Sequence, residues 1–116
     1  MILVSHSRGG VTATAAANAR PDLIDRIVYV LDVGTSADRA QAATWGRIPK
    51  TFVRLDADAS LPPAMQDRLI REGNALTPDN PYDVRTLEGS HLKWLIDPAP
   101  AARVLGELAA LTTRSA

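Results

Sequence analysis

The chain has 116 residues, a length that suits one domain burying roughly two-thirds of its unfolded surface around a single core. Thirteen Lys and Arg balance thirteen Asp and Glu, with no basic run and no interleaved aromatics, so the sequence carries no nucleic-acid or membrane-surface footprint and the expected partner is a small molecule or none. Cysteine is absent, which excludes disulfides and thiolate metal sites. The apolar N-terminal run is too short to span a bilayer and lacks a charged flank, so the expectation is a cytoplasmic protein without metal or cofactor.

Taken in order, residues 2–4 read as a short buried strand, 5–9 as a tight turn, and 10–19 as an alanine-rich helix. Pro21 disfavours helical geometry at Arg20 and ends that helix. A nearly continuous β-branched run over 27–33 has the pattern of a strand covered on both faces in a parallel sheet. Ser36 is a reasonable N-cap for a short helix over 37–44, closed by Gly46 and Pro49. A third strand follows at 51–55, then a helix over 64–72 in which Met65 and Leu69 share a face expected to join the core. The Asn-, Pro- and Asp-rich stretch 73–81 reads as a loop, 83–87 as a fourth strand, and 98–112 as a last helix with Val104, Leu105, Leu108 and Leu111 in one apolar stripe. Strands alternating with helices imply an α/β fold of about four parallel strands in a single domain over 1–116.

In such a sheet the loops after the C-terminal strand ends meet on one edge, where sites are built. Three of those loops carry Ser7, the Asp56 and Asp58 pair, and His91, a hydroxyl, a carboxylate and an imidazole in that chain order. A serine at a sharp strand-to-helix turn is lifted clear of the sheet, and the positive end of the helix dipole favours negative charge developing beside it. Imidazole can take the serine proton and return it to a leaving group near neutral pH, which makes His91 the candidate general base. His6, within the turn, is assigned to packing or pocket lining. Either aspartate could orient the base.

Ser5-His6-Ser7-Arg8-Gly9 resembles the G-x-S-x-G nucleophile elbow of the α/β-hydrolase fold, with Ser5 where the first glycine is expected and Gly9 as the second. Residues 50–58, continuing through Leu61-Pro62-Pro63-Ala64-Met65-Gln66, are similar to a stretch of plant methyl-esterase and hydroxynitrile-lyase relatives whose second aspartate is the triad acid, which favours Asp58. The resemblance implies a serine hydrolase of small carboxylic esters with Ser7 as nucleophile, His91 as base and the Arg8 N–H as one oxyanion donor. It covers nearly the whole chain but only the second half of the fold, from elbow strand to final helix, with most of the cap lacking. The elbow strand is then an apolar sheet edge, and dimerisation through it would cover the exposed backbone. Trp45 and Trp94 are candidates to line a shallow pocket, with ordinary packing as the competing role. The alternatives are a non-catalytic remnant and a hydroxynitrile-lyase-like activity on the same triad.

Overall fold

The computed structural model describes residues 1–7, 9–30, 44–90 and 96–115, with side chains to residue 111. The strands are β1 (Ile2–His6), β2 (Arg26–Val30), β3 (Lys50–Leu55) and β4 (Asp83–Leu87). Among the described residues three α-helices accompany them: α1 (Gly9–Ala19), α2 (Pro63–Leu76) and α3 (Ala99–Ser115). The strands form one parallel sheet in the order β1-β2-β3-β4. The expected helix over 37–44 lies outside the described residues, apart from the turn at Thr44.

Side chains alternate across the sheet, so each strand feeds two cores. Ile27, Tyr29 and Phe52 point to one face, where they meet Ala13 and Ala17 of α1 and Ile70 of α2. Val28, Val30, Val53, Leu55 and Leu87 point to the other, where Ala101 and Leu108 of α3 cover them. Coverage of both faces is why β2 reads as a nearly continuous apolar run. On α1 the buried positions are Gly10, Ala13, Thr14 and Ala17, small enough to bring the helix axis close to β1 and β2.

Two expectations about α2 are corrected. Its buried face is Gln66, Ile70 and Gly73, whereas Met65 is 42% exposed. The apolar spacing was one residue out of phase because a polar side chain, Gln66, is drawn inward by backbone groups of β3. The helix also continues to Leu76 instead of ending before Gly73. Gly73 is there for close approach: a Cβ would stand 2.4 Å from Cε2 of Tyr82. Its neighbour Asn74 accepts the Tyr82 N–H at 2.8 Å, so the two residues that read as a helix stop form the seat for a buried ring. In α3 the stripe holds for Val104, Leu105 and Leu108, while Leu111 is 39% exposed.

Candidate functional site

Ser7 follows β1 directly and precedes the first turn of α1. Its N–H donates to the Val30 carbonyl at 3.0 Å and its carbonyl accepts from the Gly10 N–H at 3.0 Å, which fixes the corner at both ends. The backbone reverses through Ser7 itself, at φ 55°, and no other non-glycine residue among those described has a positive φ. Neither Ser5 nor Gly9 takes a positive φ in this turn. A Cβ at Gly9 would lie 3.8 Å from the Ser5 Cβ, an ordinary contact, and Ser5 is 8% exposed with no hydrogen-bond partner for its Oγ among the described residues. The departure from glycine at position 5 leaves the turn unstrained there. His6 closes β1 and is half-buried.

On the same edge, two strands across, β3 is followed by Asp56-Ala57-Asp58. Asp56 ties this turn to the loop after β4: its N–H donates to the Leu87 carbonyl at 3.2 Å, and its Oδ1 accepts the Gly89 N–H at 2.9 Å. The Ala57 N–H donates to the Gly89 carbonyl at 3.0 Å. Gly89 holds φ 134°, a conformation that side-chain-bearing residues rarely take. The stretch leading into residue 91 is thus anchored by Asp56.

Asp58 is 2% exposed, and its Oδ1 accepts the Leu61 N–H at 2.8 Å. Below the loop, Gln66 is fully buried and bonds both backbone groups of Leu55 as well as the Leu61 carbonyl. Arg54 and Asp67 form the adjacent rung, with Nε to Oδ1 at 2.7 Å and a second bond at 3.2 Å. The guanidinium holds the Asp67 carboxyl below the usual carboxylate range. Consecutive pairs 54/67 and 55/66 therefore fasten the first turn of α2 to the end of β3.

Ser7 and the Asp58 loop are separated by two strand spacings, roughly 10 Å across the sheet. Arg8, His91 and Trp94 lie outside the described residues. Trp45 is a core residue and not a pocket wall: it is fully buried, its Nε1–H donates to the Tyr29 hydroxyl at 2.7 Å, and the turn that carries it feeds the start of β3. An open cleft of about 350 Å³ lies between the ends of β3 and β4 and the start of α3, with Leu55, Leu87, Glu88, Ser90 and Ala101 in its walls. Neither Ser7 nor Asp58 lines it. Gln66 and the tethering role of Asp56 were not foreseen from sequence; a side chain that serves backbone groups leaves no periodic signal.

Among the described residues there is no cluster of metal-ligating side chains and no helix long and apolar enough to cross a membrane. No family model matches the sequence, and no curated protein matches it. Among solved structures, the chain is similar to a predicted CIB-like hydrolase from Thermoplasma acidophilum, with a TM-score of 0.71 at 18% identity over 93% of this chain and 49% of that one. The chain spans about half the length of that hydrolase. Over that span it has an α/β-hydrolase-type fold.

Proposed function

We propose that the chain is a serine hydrolase acting on small carboxylic esters. The observation that carries this reading is Ser7 at φ 55° between a parallel strand and a helix, a strained corner of the kind that presents a nucleophile. In the proposed reaction, Ser7 Oγ attacks the ester carbonyl carbon while His91 takes the hydroxyl proton. The oxyanion is met by the Arg8 N–H and the N-terminal end of α1. Collapse of the tetrahedral intermediate breaks the C–O bond, the alcohol leaves with the proton from His91, and water releases the acid by the same steps. Asp58 orients the imidazole and stabilises its charged form. Burial of Asp58 supports its choice, as does the engagement of Asp56 with Gly89.

The test is labelling with a fluorophosphonate together with turnover of a short-chain ester. The expected result is modification of Ser7, lost in Ser7→Ala, and turnover lowered at least about a thousandfold in Ser7→Ala and His91→Ala. A folded wild-type chain that neither labels nor turns over ester would instead favour the non-catalytic reading. Cleavage of a cyanohydrin without ester turnover would favour the lyase.

A further inference from the structure

We propose that Gln66 is the positioning residue for the Asp58 carboxylate, an inference that rests on the triad reading above. Gln66 lies in the first turns of α2, fully buried, and its amide makes three hydrogen bonds. Oε1 accepts the Leu55 N–H at 2.9 Å, and Nε2 donates to the carbonyls of Leu55 and Leu61, both at 2.8 Å. Leu55 is the last residue of β3, two positions beyond the last described pair with β2, Val30 with Val53. The side-chain amide satisfies both the backbone donor and the backbone acceptor of Leu55 at the end of the strand.

The third bond reaches the catalytic loop. The Leu61 carbonyl is held by Gln66, and the N–H of that same residue is held by Asp58 Oδ1 at 2.8 Å. The loop between residues 55 and 61 is thus pinned at both ends by one amide, and the Asp58 carboxylate is fixed against the pinned end. Only an amide can serve here. A carboxylate of the same shape would keep the bond from the Leu55 N–H but lose both donated bonds and face two carbonyl oxygens. A thioether of similar length would satisfy none of the three groups.

Misplacement of a catalytic group by about 1 Å is worth on the order of a hundredfold in rate. Gln66→Met is therefore expected to lower kcat about 10- to 100-fold with little change in KM for the same ester. It should also move the acidic limb of kcat/KM to lower pH, because a displaced carboxylate stabilises the charged base less. In an Asp58→Asn background the further loss from Gln66→Met should be small, since the route to the reaction has already been cut. In the wild-type chain the Gln66 side-chain N–H protons should exchange slowly with solvent by NMR.

An unchanged kcat and acidic limb in folded Gln66→Met overturns the proposal, as does an equal fold-loss in the two backgrounds, or rapid exchange of the Gln66 amide protons. Should Gln66→Met lack a cooperative unfolding transition, Gln66→Asn, which keeps the amide but shortens its reach by one methylene, carries the same assays. Absence of wild-type turnover and labelling marks failure of the triad reading, whereas a working wild type unaffected at position 66 marks failure of this one.

Discussion

A serine at φ 55° crowds its Cβ against the following carbonyl oxygen, a steric cost of roughly 1–2 kcal/mol that glycine does not carry. Part of the relief is offset by the extra freedom glycine brings to the unfolded chain. Ser7→Gly is therefore expected to raise stability by roughly 0.5–1 kcal/mol, read as a higher urea midpoint at unchanged slope, while abolishing fluorophosphonate labelling. A lower midpoint would show that no strain is stored at this corner. The elbow was legible in the sequence because its signal is local: an apolar run, small residues on either side of Ser7, and an alanine-rich helix. Gln66 was not, because its partners are backbone groups 5 and 11 residues away and any polar helical residue has the same appearance in sequence.

The start of β2 and both ends of β3 and β4 were read to within a residue, whereas positions 31–33 of the run expected for β2 lie outside the described residues. The end of α2 was misread for a physical reason. Gly73 and Asn74 have the composition of a helix stop, yet both serve Tyr82, a residue eight or nine positions on that the local pattern does not reach. The Tyr82 ring cannot step aside. It packs edge-on against Phe52 and Tyr29, with centroids 5.8 and 6.1 Å away. Gly73→Ala should thus destabilise by roughly 1–3 kcal/mol, the overpacking penalty outweighing the helix propensity gained. Thermal unfolding measures the loss, and in a Tyr82→Leu background the added methyl should cost much less. An equal loss in both backgrounds would place the penalty somewhere other than the ring.

Across the whole molecule the two edges of the sheet differ in character. The C-terminal edge carries the hydroxyl, the carboxylates and the loops proposed for chemistry. At the N-terminal edge the start of β3 buries Lys50, 1% exposed, with Nζ bonded to the Thr77 hydroxyl at 3.0 Å and the Asn80 carbonyl at 2.8 Å. Lys50 joins three separate pieces of chain, because Nζ also sits 4.6 Å from the Trp45 ring centroid and 5.3 Å from that of Tyr82. No carboxylate pairs with it in the ion pairs among the described residues. Burial therefore pushes its pKa down from 10.5 to about 8. Below pH 8 the ammonium is charged in both the folded and unfolded chains, and the fold bears the full cost of burying it. Between pH 8 and 10.5 the folded chain releases the proton while the unfolded chain keeps it, so stability rises with pH and the cost is gone above that window. The rise should be on the order of 2 kcal/mol, less than the shift alone implies, because the two aromatic faces favour the charged form. Urea midpoints at pH 7.5 and pH 10 check it as a difference between wild type and Lys50→Met, in which the other titrating groups cancel. Parallel pH dependence in the two proteins would mean that the ammonium is already stabilised by its aromatic and carbonyl neighbours as well as it is by water.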